Sequence, residues 1–332
     1  VGTNLIEARQ VSKRFVRKPD IAARIAGLLG SPVKQAVVHA LDRVDLSVAP
    51  GEVVGLVGES GSGKSTLGRI VAGLQDPSAG EVLFEGQDRF ALDADERKAA
   101  YLAVQMVFQD PMSSLNPRLR ISEIIGEAPL FHGVVSRSET AGYVAEMMNT
   151  VGLNPAYAER YPHQFSGGQR ARIGIARALA VKPRMIVADE AIAALDASIQ
   201  AQVINLFMKL RSDFDLAYLF ISHDLGVVQH IADRVAILYL GRVVEFAAAE
   251  KVLATPNHPY SQALLANMPR VETGKHAFAP LEGEIPSPLD PPRGCHFHPR
   301  CPHAMPRCRE QVPQLKEIAP GWMSACHLND AG

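Results

Sequence analysis

The stretch that most constrains this chain is EVVGLVGESGSGKST, from Glu52 to Thr66. An apolar run reads as a buried strand, and it breaks abruptly into Gly58, Glu59, Ser60, Gly61, Ser62 and Gly63. Glycine lets the backbone turn tightly enough to point several N–H groups inward, which makes a cradle for phosphate oxygens. Lys64, Ser65 and Thr66 then open a helix running to about Leu74, whose N-terminal partial charge favours the same anion. Lys64 supplies a mobile positive charge for the β- and γ-phosphates, and Ser65 offers a hydroxyl to Mg2+.

Four further stretches speak to the same ligand, ATP. MIVADE (Met185 to Glu190) is an apolar strand ending in two carboxylates. Beside the phosphate loop, Asp189 is expected to hold Mg2+ through water, and Glu190 to polarise the attacking water as a general base. In FSGGQ, the residues Ser166, Gly167, Gly168 and Gln169 make a helix N-terminus with open N–H groups. Alone, that turn reads as an ordinary helix capped by Ser166. With the phosphate loop it implies more: one ATP has no use for two such sites on one chain, whereas two facing chains would use both. Gln109 and His223 each follow an apolar run, VQMVF and YLFI, and each is placed to reach the γ-phosphate from a strand end. Taken singly, either is an ordinary polar residue at the end of a strand. His163, beside the Ser-Gly-Gly turn, reads as structural.

Around these motifs, short apolar runs alternate with turns over residues 4–56, as in a small antiparallel sheet. Between them Ile21, Ile25, Leu28 and Leu29 fall at helical spacing on a short basic segment, read as a surface insertion or as a contact with membrane or permease. Residues 121–160 are helix-rich. Strands are expected at Met185–Ala188 and Leu216–Ile221, a helix over Ile199–Arg211, and a terminal hairpin around Gly241. Strand–helix alternation of this type predicts an α/β fold with a mostly parallel sheet covered by helices. Thirteen of the 23 prolines lie in residues 256–332, which reads as a separate extension, with SPLDPPRG as a rigid linker.

The chain carries 34 Lys plus Arg against 35 Asp plus Glu, a balance that gives no basic surface for nucleic acid. No apolar run approaches the roughly 20 residues of a membrane span, and VGTNLIEARQ lacks the layout of a secretory signal. The expectation is a cytoplasmic protein with at most a peripheral membrane role. Cys295, Cys301, Cys308 and Cys326 cluster near the C-terminus. In a reducing compartment they read better as metal ligands than as disulfides. Four thiolates suit tetrahedral Zn2+ or a [4Fe–4S] cluster, and His296, His298, His303 and His327 lie nearby as further zinc ligands. The spacing alone leaves the metal open.

In order and identity, these motifs resemble the nucleotide-binding subunits of ATP-binding cassette (ABC) transporters, over roughly residues 4–250. The resemblance implies a P-loop NTPase (RecA-like) core with an antiparallel β subdomain and a helical signature subdomain at about 110–168. Together these make a nucleotide-binding domain over 1–255, followed by a Pro/Cys-rich C-terminal extension over 256–332. It implies that two subunits sandwich two ATPs, close on binding and reopen after hydrolysis. It assigns Phe15 to adenine stacking, and it adds Gln109 to Ser65 and Asp189 around Mg2+. Asp196 falls in the D-loop, which faces the second subunit.

QDPMSSLNPR, YPHQFSGGQRARIGIARAL, HPYSQALL and the cysteine tail look like the oligopeptide/dipeptide importer branch. That implies a second, related ATPase, two transmembrane permeases, an extracytoplasmic solute-binding protein, and a place on the cytoplasmic face of a bacterial membrane. It tilts the tail toward an iron–sulfur cluster on Cys295, Cys301, Cys308 and Cys326. Two departures stand out: Ala191 where the family usually has Pro, and Ala193 where the D-loop usually has Ser. The lost hydroxyl leaves room for two composite sites of unequal rate, with the one containing Glu190 still expected to turn over. The rivals are a soluble ATPase of the same family and a slow or non-hydrolysing ATP-dependent gate. Intact Glu190 and His223 speak against the gate.

Overall fold

A computed structural model describes residues 4–16, 36–110, 114–267 and 283–330; the helical spacing at Ile21–Leu29 lies outside them. Strands β1 (Ile6–Val16) and β2 (Val37–Val48) pair antiparallel and turn Ile6, Ala8, Val11, Leu46 and Val48 to the core. All five residues of β3 (Val53–Val57) are buried. A strand covered on both faces needs such an unbroken apolar run, which is why VVGLV carries no alternation. After the phosphate loop come α1 (Lys64–Val71), β4 (Ala79–Phe84) and β5 (Gln87–Asp88). With β1 and β2 the last two close a four-stranded antiparallel sheet in the order β2-β1-β4-β5.

Helix α2 (Ala94–Ala103), held by an Asp93/Glu96 capping box, leads into β6 (Val104–Val107). Three helices follow: α3 (Ile121–Phe131), α4 (Thr140–Thr150) and α5 (Gly167–Leu179). Ile121, Ile124, Ile125, Val144, Met147, Met148 and Ile173 bury one face of each against the others. This is the helical region expected from the sequence. The chain then alternates β7 (Met185–Asp189), α6 (Ala197–Phe214), β8 (Ala217–Ser222), α7 (Leu225–Ile231) and β9 (Arg234–Tyr239). The hairpin expected around Gly241 is formed by β9 and β10 (Arg242–Ala248), with Leu240 and Gly241 both at positive φ, as a tight hairpin turn requires.

Helices α8 (Ala249–Ala254) and α9 (Pro259–Ala266) open the C-terminal part, and β11 (Lys316–Ala319) and β12 (Trp322–Ser324) close it. The main sheet has eight strands in the order β11-β12-β10-β9-β3-β8-β7-β6, parallel from β9 to β6. It runs across the composition break at residue 255: β12 pairs antiparallel with β10 through Glu245–Ser324 and Phe246–Met323. Proline content reported the loops of this extension and not its two short strands, which are too brief to show a period. The proline-rich linker also lies on the main body, where the His39 N–H donates to the Pro288 carbonyl at 2.9 Å.

A third core cluster ties the extension down. Tyr239, Tyr260 and Phe297 are each 0–1% exposed, with ring centroids 4.6–5.3 Å apart. Burying a side chain the size of Phe297 is worth about 2–3 kcal/mol. Glu245, fully buried on β10, accepts from the Asn257 and His258 N–H groups at 2.8 and 3.0 Å and from Trp322 Nε1 at 2.8 Å. One carboxylate thereby links β10, the start of α9 and β12.

Candidate active site

The phosphate loop forms where β3 ends. A Cβ on Gly58 would stand 2.1 Å from the Leu238 carbonyl oxygen, and Gly63 has φ 107° with the Ala40 carbonyl 2.4 Å from where its Cβ would be. Only glycine fits either place. Lys64 is 4% exposed and its ammonium donates to the Gly58 and Glu59 carbonyls at 2.8 and 3.0 Å. Burial lowers its pKa, against the raising pull of Glu190, Asp189 and Glu59. The buried Ser62 hydroxyl has no hydrogen-bond partner among the described residues.

The carboxylates sit where the parallel strands put them. Asp189, the last residue of β7, is 2% exposed and accepts from Ser65 Oγ at 2.8 Å. Burial raises its pKa, so its ionised form gains from a nearby cation. A hydroxyl and a buried carboxylate side by side are the hard oxygen donors that Mg2+ takes, alongside water and substrate phosphates. The pair therefore fits the ion expected there.

Glu190 follows in the left-handed region, φ 45°, fixed by its N–H donating to the Ile221 carbonyl at 3.0 Å. A non-glycine residue held there is strained, and such strain collects at functional positions. Three side chains from three segments converge on its carboxylate. Gln109 Nε2 donates to Oε2 at 2.8 Å, His223 Nδ1 lies 3.6 Å from Oε2, and Lys64 Nζ lies 3.8 Å from Oε1. The fold thus brings Gln109 and His223, each ordinary in isolation, to a single carboxylate.

The remaining expected residues lie apart from this cluster. Phe15 is 40% exposed on β1, with Lys13 Nζ 5.4 Å from its ring centroid. Ser166 caps α5: its hydroxyl accepts from the Gln169 N–H at 3.3 Å, and Gln169 Oε1 accepts from the Ser166 N–H at 3.0 Å. Ser166 and Gly167 face solvent, as do Ala193 and Asp196, whose carboxylate caps α6. Among the described residues no hydrogen bond or ion pair joins the Ser166 turn to the phosphate loop. His163 stacks on Tyr161 at 5.8 Å, in keeping with its structural reading.

The expected metal centre in the tail finds no support. All four cysteines are free, and among the described residues no three His, Cys, Asp or Glu side chains are grouped to hold a metal ion. Three of the nearby histidines make hydrogen bonds, and only His327 has both ring nitrogens engaged. His296 Nδ1 meets the Leu240 carbonyl, His298 Nδ1 the Cys295 carbonyl, and His327 meets the Gln311 carbonyl and Asp330, all at 2.9 Å. The thiols are nonetheless neighbours. Burial first, and the other three cysteines after it, push the Cys295 thiol up to about 11.

Two residues at the site went unassigned in the sequence. Arg300 pairs through both terminal nitrogens with the Glu59 carboxylate, at 2.7 and 3.1 Å, and the Tyr260 hydroxyl accepts from the Glu59 N–H at 3.0 Å. Both come from the C-terminal extension. No local spacing signals them, because 241 and 201 residues separate them from their partner.

A glycine-rich loop after a parallel strand, a buried carboxylate bonded to a serine hydroxyl and a second carboxylate beside them are the arrangement expected of an ATPase cassette. Comparisons with known proteins agree. The ABC transporter family model matches residues 41–193, and the model for the oligopeptide/dipeptide transporter C-terminal region matches 244–308. The oligopeptide transport ATP-binding protein AppF of Bacillus subtilis is 48% identical over 328 residues, covering 98% of this chain and 97% of that protein. A probable peptide ABC transporter ATP-binding protein of Sinorhizobium fredii, y4tS, is 50% identical over 293 residues, covering 88% and 83%. Among solved structures, the dimeric post-hydrolysis cassette MJ0796 bound to ADP and Pi has a TM-score of 0.61 at 28% identity, over 74% of this chain and 98% of that one. The chain belongs to the ATP-binding subunits of ABC transporters, in the oligopeptide/dipeptide branch. It is an ATPase of the kind coupled to transport.

Proposed function

We propose that this chain hydrolyses ATP to drive a bacterial importer of oligopeptides, dipeptides or related solutes. The reading rests above all on Glu190, whose carboxylate accepts from Gln109 and has His223 and Lys64 at 3.6 and 3.8 Å at the mouth of the phosphate loop. Backbone N–H groups of Gly58–Thr66 and the Lys64 ammonium hold the triphosphate. Phe15 stacks on adenine. Glu190 takes a proton from the attacking water, while Gln109 and His223 keep its carboxylate aimed. Mg2+, when bound, spreads the charge of the phosphates, and Ser65, Asp189 and Gln109 are the residues that would hold it.

The partner surface is the second half of this reading. Ser166, Gly167, Gly168, Gln169 and Asp196 would complete the ATP site of a second, related ATPase, whose matching residues complete this one. Two permeases and, through them, an external solute-binding protein make up the rest of the complex. Among the described residues no helix is long and apolar enough to cross a membrane, which suits peripheral attachment at the cytoplasmic face. A groove between α2, β6 and α3, lined by Leu74, Tyr101, Leu102, Met106 and Phe108, would receive the permease. For the tail, the resemblance favours a structural [4Fe–4S] cluster on Cys295, Cys301, Cys308 and Cys326. Four free cysteines on one extension are the ligand type that such a cluster would take. Anaerobically purified protein should then be brown and contain iron and sulfide; colourless, iron-free protein would remove the cluster.

The deciding experiment is Glu190→Gln in the assembled complex. Nucleotide binding should survive while turnover falls by about 10²–10⁴-fold, the usual contribution of a general base. Undiminished turnover would refute the assignment.

A further inference from the structure

The tail's grip on the phosphate loop goes beyond what an extension needs in order to fold. Every polar group of Glu59 is engaged. Its carbonyl accepts from Lys64, its N–H donates to the Tyr260 hydroxyl at 3.0 Å, and its carboxylate receives the Arg300 fork at 2.7 and 3.1 Å. Two of these three contacts come from the C-terminal extension. Arg300 is rigidly seated: its side chain is 4% exposed, and its guanidinium lies 5.9 Å from the Tyr239 ring centroid. Phe297, three residues earlier, packs on both Tyr239 and Tyr260. Glu59 is the only acid within Gly58–Thr66, in a loop built to hold a polyanion. An unpaired carboxylate there would repel the phosphates, and planar bidentate pairing is the arrangement that best fixes and neutralises it.

We propose that Arg300, with Tyr260, is a positioning residue for nucleotide binding: the C-terminal extension holds Glu59 turned away from the ligand and sets the shape of the phosphate loop. The inference rests on the assignment of Gly58–Thr66 as the phosphate site. Arg300 touches no nucleotide and acts through Glu59. Removing it strands a partly buried carboxylate next to the triphosphate. Removing Glu59's charge as well abolishes that repulsion. A merely structural Arg300 would show no such compensation.

The test titrates the full-length chain with Mg·ADP and with a non-hydrolysable Mg·ATP analogue by calorimetry, and measures ATPase kinetics in the assembled complex. Arg300→Ala should weaken nucleotide binding by about tenfold, the scale of one lost charge-assisted hydrogen bond. KM for ATP should rise in step, with kcat moved far less. The double variant Arg300→Ala/Glu59→Gln should recover most of the lost affinity. Wild-type affinity in folded Arg300→Ala, or no recovery in the double variant, would overturn the proposal. Should Arg300→Ala fail to fold, Arg300→Lys and Tyr260→Phe decide it. Each keeps its packing and loses part of the grip, so each should bind more weakly, and unchanged affinity in both would sink the idea. Wild-type protein that took up no nucleotide would overturn the phosphate-site assignment and this inference with it.

Discussion

At the scale of single residues, the site is made by backbone constraint as much as by charge. Gly58 and Gly63 lie where a methyl group would collide with a backbone carbonyl that cannot swing aside. Gly58→Ala should therefore displace the loop and weaken ATP binding by at least about tenfold, or 1.4 kcal/mol, in a nucleotide titration. Lys64, with its ammonium on two loop carbonyls, is already placed for phosphate. Glu190 bears the strain of a left-handed backbone to reach its position. The residue types at all of these places were legible in the sequence. That Gln109 and His223 meet the Glu190 carboxylate itself was not, since the three belong to separate segments that only the parallel sheet aligns.

At the scale of elements, the extension is joined to the core by buried polar links. Glu245→Ala leaves the Asn257 and His258 N–H groups and the Trp322 indole without their acceptor. Each buried donor left unsatisfied costs about 1–3 kcal/mol, so chemical denaturation should show a loss of at least about 2 kcal/mol, with Trp322 fluorescence changing early. His258, at the N-cap of α9, predicts a pH dependence. Its Nδ1 accepts from the Tyr260 N–H, which requires a neutral ring, and burial lowers its pKa from 6.5 to about 3. Between those values the unfolded chain binds a proton that the folded one does not, so stability falls as pH drops below about 6.5. The slope from this group approaches about 1.4 kcal/mol per pH unit. Denaturation midpoints of wild type and His258→Gln, compared from neutral to mildly acidic pH, should separate that contribution.

At the scale of the whole molecule, no hydrogen bond or ion pair among the described residues joins the Ser166 turn to the phosphate loop, as expected if each serves a different ATP. A bulky substitution such as Ser166→Arg should abolish turnover in the complex while leaving ATP binding by the isolated chain intact. Turnover per subunit should also fall on dilution. Full activity in dilute monomers, unaffected by that substitution, would contradict the shared-site reading. Ala193 is exposed, and exchange for Ser should raise turnover or leave it unchanged.

The sequence by itself determined the chemistry and the order of the layers. A glycine-rich loop after an apolar run, and acids after another, can be satisfied in few ways, because backbone freedom and buried charge are local constraints. The helical region and the β9–β10 hairpin were legible for the same reason, through periodicity and turn residues. What only the tertiary structure decided is how distant segments meet. It added the tail's two strands to the main sheet, set Arg300 and Tyr260 on the phosphate loop, and engaged both ring nitrogens of His327 with Gln311 and Asp330. Such contacts join residues up to 241 positions apart. No local pattern encodes them, because their energy comes from burial and pairing that exist only once the chain has packed.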